Sequence, residues 1–481
     1  MSNNYQNYIG GRFIEHSSGD QIEVFNPATQ AFVGAVPEST SEAVNAAVAA
    51  ARQAQRGWAK LPAVQRAVHL RAIAAKIRQH VDRLAEIITR EQGKTLDLAK
   101  VEVAFTADYI DYMAEWGRRI EGEVITSDRA GETIFMLRKP LGVVAGILPW
   151  NFPFFLIARK MAPALITGNT IVIKPSEETP INAFEFAKLV HETDLPKGVF
   201  NLVSGRGASV GADLTAHTDV NMVSFTGSVD VGMRIMSSAS KNLTRVNLEL
   251  GGKAPVIVLD DADLDLAAKA IWDSRVTNTG QLCNCAERIY VARSVADELT
   301  LKIATFMKST KFGDPLKQSG LHMGPLINKQ GLQKVDALVQ RALAQGAELV
   351  TGGRIADLDE GFHYEPTVLI NCSNNMEIMH KEVFGPVIPI QKVSSLEEAI
   401  GLANDSEYGL TSSVFTRNLN HAMQACHALD FGETYVNREH FEAMQGFHAG
   451  RRKSGIGGAD GKHGLYEHLE THVVYMNHGQ L

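Results

Sequence analysis

Only four of the 481 residues are cysteine (Cys283, Cys285, Cys372 and Cys426), too few and too scattered for a disulfide framework. That scarcity points to a reducing compartment, and the cytoplasm is the expected location. The first residues, 1–11, lack a basic region followed by an apolar core, so no secretory signal is visible. A long apolar run is missing too. The most apolar segment, 142–157, is broken by Pro149, Asn151 and Pro153 and cannot span a bilayer. Nor is there an excess of basic charge: the formal net charge of -7 argues against nucleic acid or an anionic membrane as the main partner. Internal repeats and low-complexity tracts are absent. What remains, 45% hydrophobic and 21% charged, is the composition of an ordinary soluble globular protein. At this length two or three domains are expected.

Residues 5–36 read as short strands and turns. A capping-box pattern from Ser39 to Glu42 opens an alanine-rich helix reaching about Trp58. Pro62 opens a second helix, in which Ile73, Ile77, Leu84, Ile87 and Ile88 recur at helical spacing, and a third covers about 96–116. After a strand at 133–139 the pattern changes. Short Val/Ile runs at 143–148, 170–174, 199–203, 222–225, 246–250 and 255–259 alternate with helix-length segments, which implies a parallel sheet covered on both faces. A second alternation runs from about Ile289 to Asn437. Two α/β domains follow from this, with Cys283 on a loop of the second that faces the first. The terminal run 471–477 is a lone strand without a hairpin partner, so its partner is expected elsewhere, in another subunit for instance.

Chemistry gathers at the carboxyl ends of strands in such sheets. Here those ends carry Asn151, Lys174-Pro175-Ser176-Glu177, Gly207 and Gly211, Thr226-Gly227-Ser228, and Glu249. The glycines at 205, 207 and 211 miss the usual dinucleotide spacing and suit a tight turn equally well. Small residues at 226–228 admit a phosphate to a helix N-terminus. Lys174 and Glu177 suit a ribose or a solvated ion pair. Glu249, at the edge of a buried strand, has a raised pKa and suits a general base unless it is paired, with Lys253 for instance. Asn151 fits a helix N-cap or a donor to an oxyanion. Cys283 follows Gly280-Gln281-Leu282 in a polar loop. There, open N–H groups suit a nucleophilic thiolate; a structural thiol, a redox pair with Cys285 and a metal site are the alternatives. The metal reading has the poorest spacing.

Pro-Trp-Asn-Phe (149–152), Lys-Pro-Ser-Glu (174–177), Phe-Thr-Gly-Ser (225–228), Glu-Leu-Gly-Gly-Lys (249–253), Gly-Gln-Leu-Cys (280–283) and Glu-Val-Phe-Gly-Pro (382–386) together resemble the NAD(P)-dependent aldehyde dehydrogenase superfamily. The order of these motifs spans nearly the whole chain. Within the superfamily the lactaldehyde/glycolaldehyde dehydrogenase branch is most similar, then the semialdehyde dehydrogenases. The resemblance implies Cys283 as nucleophile, Asn151 with the Cys283 N–H as oxyanion hole, and Glu249 as the base that activates water. It implies NAD as cofactor, with Lys174, Ser176 and Glu177 at the adenosine ribose. Gly207, Gly211, Thr226, Gly227 and Ser228 would lie near the phosphates, and Glu382 and Phe384 at the nicotinamide end.

The implied fold is two parallel-sheet α/β domains, a Rossmann-like cofactor domain and a catalytic domain, plus a small oligomerisation β-flap. Expected boundaries are 1–119 and 141–251 for the cofactor domain, 252–464 for the catalytic domain, and 120–140 with 465–481 for the flap. A homotetramer is expected, with no metal. Arg159, Asn284, Glu442 and His448 replace the large apolar side chains that often line the family's substrate tunnel, which points to lactaldehyde or glycolaldehyde as substrate. The alternatives are that Arg159 and Glu442 merely neutralise each other, or that Arg159 anchors the carboxylate of succinate semialdehyde.

Overall fold

The computed structural model describes residues 5–15 and 19–479. Expectations for residues 1–4, 16–18 and 480–481 lie outside it. Its first sheet has eight strands in the order Gly455–Ile456, Arg245–Glu249, Met222–Thr226, Val143–Ile147, Thr170–Lys174, Phe200–Leu202, Asn7–Ile9 and Arg12–Ile14. The five from Arg245–Glu249 to Phe200–Leu202 run parallel, and the short outer strands are antiparallel. From Val143–Ile147 the chain first adds strands on one side, then returns to add Met222–Thr226 on the other. The strand order therefore reverses between those two, where a crevice opens at their carboxyl ends.

The second sheet has seven strands, in the order Glu348–Thr351, Thr367–Ile370, Val387–Val393, Ala286–Ala292, Ala254–Val258, Thr411–Phe415 and Glu433–Val436. All its pairings are parallel except the first. The strand at 254–258, which the Val/Ile alternation attaches to the first series, belongs to this sheet. The chain crosses between the sheets through Leu250-Gly251-Gly252-Lys253. Glycine is required at 252: a Cβ there would lie 2.2 Å from the carbonyl oxygen of Cys283. Conversely, Gly455–Ile456 joins the first sheet beside Arg245–Glu249 although it falls within the 252–464 segment.

The terminal strand Leu469–Asn477 is not an orphan. It pairs antiparallel with Glu132–Pro140 of the same chain, from Leu469↔Pro140 to Asn477↔Glu132, and Glu123–Thr126 completes a three-stranded sheet. A partner about 330 to 345 residues away leaves no hairpin signal. Among the described residues both outer strands of this sheet have free edges, and Val124, Leu137, Val473, Tyr475 and Met476 are exposed on it.

Two helical readings also change. The N-cap of Ser41–Lys60 is Thr40, whose side chain accepts from Ala43 N; Ser39 instead accepts from Asn7 Nδ2 at 2.8 Å. The apolar stripe from Ile73 to Ile88 is two helices, Ala63–Arg78 and Val81–Gln92, broken at Gln79-His80. The helix Phe155–Ile166 is buried along its entire length because it lies between the first sheet and the N-terminal helices. Each large apolar side chain it buries contributes about 1.5–3 kcal/mol. Two cations, Arg159 and Lys160, are buried with them. Among the described residues no helix is long and apolar enough to cross a membrane.

Candidate active site

Strand ends of the first sheet meet strand beginnings of the second, and the candidate residues collect at that junction. Asn151 lies in the turn between Val143–Ile147 and Phe155–Ile166. It is not an N-cap: the capping position is Phe154, and the helix's first N–H groups are satisfied by Glu102, which accepts from Phe154 N (2.9 Å) and Phe155 N (3.1 Å). Glu102 is paired with Lys94 at 2.5 Å, both fully buried, and Lys94 also donates to the Asn151 carbonyl at 2.8 Å. Asn278 Nδ2 donates to the same carbonyl at 3.0 Å. With its backbone held from both sides, Asn151 turns its amide to the cysteine loop, donating to Gln281 O at 2.9 Å.

That loop is backbone-strained. Asn278 and Thr279 have φ of 48° and 60°, conformations that non-glycine residues adopt at a cost of about 1–3 kcal/mol each. Gln281 holds the turn by donating to Asn278 O at 3.0 Å and accepting from Ile327 N at 2.9 Å. Cys283 emerges half-buried, whereas Cys285 is fully buried under Arg275, which donates to its sulfur at 2.9 Å. Burial pushes the Cys283 thiol above its ordinary value even though His448 hydrogen-bonds it and lowers it in part. The open N–H groups of the loop do not by themselves depress it. Burial drives Cys285 further, to about 12.

Glu249 ends the strand Arg245–Glu249 and does not pair with Lys253, which bonds Glu287 at 2.6 Å in the second domain's core. The expected rise in its pKa is reversed. Burial does oppose ionisation, but Arg159, Lys160 and His448, with a 3.0 Å bond from Thr226 Oγ1, hold the carboxyl below its usual range. Lys160 donates to Thr226 Oγ1 at 2.9 Å and to Ser224 Oγ at 3.2 Å, and burial lowers it to about 8. The hydroxyl of Thr226 thus faces Glu249 and Lys160.

Arg159 lies 3.3 Å from Glu442 and 4.0 Å from Glu249, and its Nε and Nη2 are taken by Asp460. The simple Arg159–Glu442 neutralisation is therefore incomplete; three carboxylates surround one guanidinium. Asn284 Nδ2 donates to Glu442 at 2.5 Å and to His440 O at 2.9 Å. His448 is buried, with Nδ1 2.9 Å from Glu433. Burial and Arg159 oppose its protonation, but Glu442, Cys283 and Glu433 hold its pKa well above the ordinary imidazole value.

A cavity of about 400 Å³ runs to this cluster, with Asn151, Arg159, Glu249, Cys283, Asn284 and Glu442 in its inner wall. Most of its remaining wall is apolar, chiefly Leu98, Val101, Phe105, Phe152, Phe155 and Phe441, with Glu102, Thr226 and Thr277 as polar members. The cluster around Cys283 and Arg159 forms the polar floor of this tunnel. Sequence reasoning missed the side chains from the helix Leu96–Glu115, and it missed Lys160, Asp460, Glu433, Lys94 and Glu102. Lys160 carried a signal, a second cation inside an apolar helix; Asp460 and Glu433 carried none.

The remaining candidates line the outer strand ends. Lys174 Nζ lies 3.0 Å from Glu177, whose half-exposed carboxyl is held low by that lysine against the effect of burial. Ser176 is buried beside them, Gly207 is exposed in a turn ending at the buried Gly211, and Ser228 caps the helix Val229–Ala239. Gly227 N donates to Glu249 O at 3.0 Å. Glu382 accepts from Gly252 N at 2.9 Å and is pushed by burial to about 7. Phe384, at φ 57°, packs edge-on against Trp150 with centroids 5.5 Å apart. This row fits a dinucleotide. An ionised, half-exposed Glu177 can accept from ribose hydroxyls, and Gly207 has open space where a side chain would stand.

The model of the Aldehyde dehydrogenase family matches residues 13–474. Lactaldehyde dehydrogenase of Escherichia coli (strain K12) is 57% identical over 469 residues, covering 98% of each chain. A 3,6-anhydro-alpha-L-galactose dehydrogenase of Vibrio sp. (strain EJY3) is 43% identical, covering 98% of this chain and 99% of its own. The crystal structure of the Escherichia coli lactaldehyde dehydrogenase superposes with a TM-score of 0.97 at 56% identity, over 98% of this chain and 99% of that one.

Proposed function

Because the chain belongs to the aldehyde dehydrogenase family, we propose that it oxidises a short hydroxylated aldehyde, lactaldehyde or glycolaldehyde, to the acid with NAD. The observation that carries this reading is the cavity whose polar floor joins Cys283, Asn151, Glu249 and the Arg159 cluster. Cys283 loses its proton to solvent water and attacks the aldehyde carbon as a thiolate, with the cationic imidazole of His448 offsetting the negative charge. The resulting oxyanion is met by the Asn151 amide and the Cys283 N–H. Bound NAD supplies the two-electron acceptor for the hydride on that carbon. Oxidation leaves a thioester on Cys283, and Glu249, kept ionised by Arg159 and Lys160, takes the proton of the water that hydrolyses it. A carboxylate base at that point makes water the acyl acceptor, in preference to a thiol such as CoA.

Glu177 with Lys174 would hold the adenosine ribose, and its charge disfavours the 2′-phosphate of NADP. Ser176, Gly207, Gly211, Gly227 and Ser228 would flank the rest of the dinucleotide, and Glu382 and Phe384 its nicotinamide end. The substrate hydroxyl would bond within the cluster of Arg159, Asn284, Glu442 and His448. The exposed apolar side chains and free edges of the three-stranded sheet support its role as an oligomerisation flap in a homotetramer, and the enzyme is read as cytoplasmic. Succinate semialdehyde, the runner-up, requires Arg159 as a free carboxylate anchor, yet Asp460 and Glu442 already engage it. Measuring kcat/KM with NAD for lactaldehyde, glycolaldehyde, propanal, hexanal and succinate semialdehyde tests the reading. The hydroxylated aldehydes should exceed propanal by about tenfold or more. Hexanal as the best substrate would overturn it.

A further inference from the structure

Asp460 is buried and sits in a conformation, φ 70° and ψ 164°, that essentially only glycine adopts readily. Neighbouring backbone bonds enforce it: Ala459 N donates to His448 O at 2.8 Å, and Gly461 N to Met444 O at 2.9 Å. The strained turn delivers a carboxylate onto one edge of Arg159, with Nε at 3.1 Å from Oδ1 and Nη2 on Oδ2. Only Nη1 is left, facing Glu442 and Glu249 on the cavity wall. With His448 matched to Glu433, the floor sets three carboxylates against two cations, Arg159 and Lys160.

We propose that Asp460 is a positioning residue that sets acyl specificity: it occupies the Nε–Nη2 edge of Arg159 and keeps the floor anionic, so the cavity turns away aldehydes that end in a carboxylate. The proposal rests on the reading of this cavity as the acyl site for hydroxylated aldehydes. A fourth carboxylate entering the wild-type floor meets like charge and finds no free guanidinium edge. Without the Asp460 charge two carboxylates face two cations, and the cavity-facing Nη1 of Arg159 is no longer neutralised from the far edge of the guanidinium.

The test compares kcat/KM for lactaldehyde and succinate semialdehyde in the wild-type enzyme, Asp460→Asn and Asp460→Gly, with NAD. Glycine adopts φ 70° without strain, so the second variant keeps the test open if asparagine disturbs folding. The lactaldehyde preference should fall by about tenfold or more in both, since the charge removed is in direct contact with Arg159 on the cavity wall. The change should come mainly from a lower KM for the semialdehyde. A wild-type preference for succinate semialdehyde would overturn both the functional reading and this inference. A wild-type preference for lactaldehyde that stays within twofold in both variants would overturn the inference alone. So would equal loss of both activities in variants that melt like the wild type, because Asp460 would then serve the reaction rather than the choice of acyl group.

Discussion

Along the outer strand ends, Lys174 and Glu177 are three residues apart and Ser228 caps its own helix, whereas the cavity floor joins Arg159 to Asp460 across 301 positions. These two outer contacts are local, and Glu177 is half-exposed. The floor is largely buried, and Glu249, Glu442, His448 and Asp460 all act on Arg159. Substitutions in the first region should therefore be separable by partner, while those in the second should be non-additive.

The largest effect should come from removing the nucleophile. Cys283→Ala should lower NADH formation by about 10⁴-fold or more, and Cys285→Ala should retain most of it, since the latter sulfur faces Arg275. Normal turnover in Cys283→Ala would break the scheme.

Next comes the base. Glu249→Gln should slow steady-state turnover by about 10²–10³-fold while a pre-steady-state burst of NADH survives, because hydrolysis and not hydride loss needs the carboxylate. A burst lost together with turnover would place Glu249 in an earlier step.

On the local side, Glu177→Gln should narrow the NAD-over-NADP ratio of kcat/KM by about tenfold and leave the aldehyde preference untouched. A simultaneous shift in aldehyde preference would show that the two regions are not separable.

The smallest effect concerns His440, whose carbonyl holds Asn284. It is buried, its Nε2 finds no hydrogen-bond partner among the described residues, and burial lowers its pKa to about 3. The unfolded imidazole titrates near 6.5, so protons bind the unfolded chain more tightly. Stability is full above that value and is lost as pH falls from about 6.5 towards 3. At pH 5 this amounts to about 2 kcal/mol. Denaturant unfolding at pH 7.5 and pH 5 should show a smaller acid loss in His440→Gln. Equal losses in the two proteins would contradict the assignment.

Much of this architecture was legible in one dimension. The strand Thr170–Lys174 and the helix start at Ile181 lie where the Val/Ile run and the following segment put them, because strand and helix signals depend on the nearest few residues. Asn151, Cys283 and Glu249 stood out for the same reason: each is a polar residue beside an apolar strand or a glycine turn. The separation of Ala63–Arg78 from Val81–Gln92 was hidden, since a stripe of isoleucines continues across the break.

What the chain could not declare locally, the tertiary structure decided. Leu469–Asn477 found its partner in Glu132–Pro140, and a strand's own residues say nothing about which distant edge will accept its hydrogen bonds. The titration of Glu249 turned from raised to lowered because Arg159 and Lys160 arrive from another element, and a pKa is set by charges within a few ångströms wherever they lie in sequence. Asp460 reached Arg159 only through a turn its own residue type disfavours, held by backbone bonds to His448 and Met444. Sequence by itself determined which side chains could do chemistry; the packing of the two sheets determined which of them meet, and with what charge.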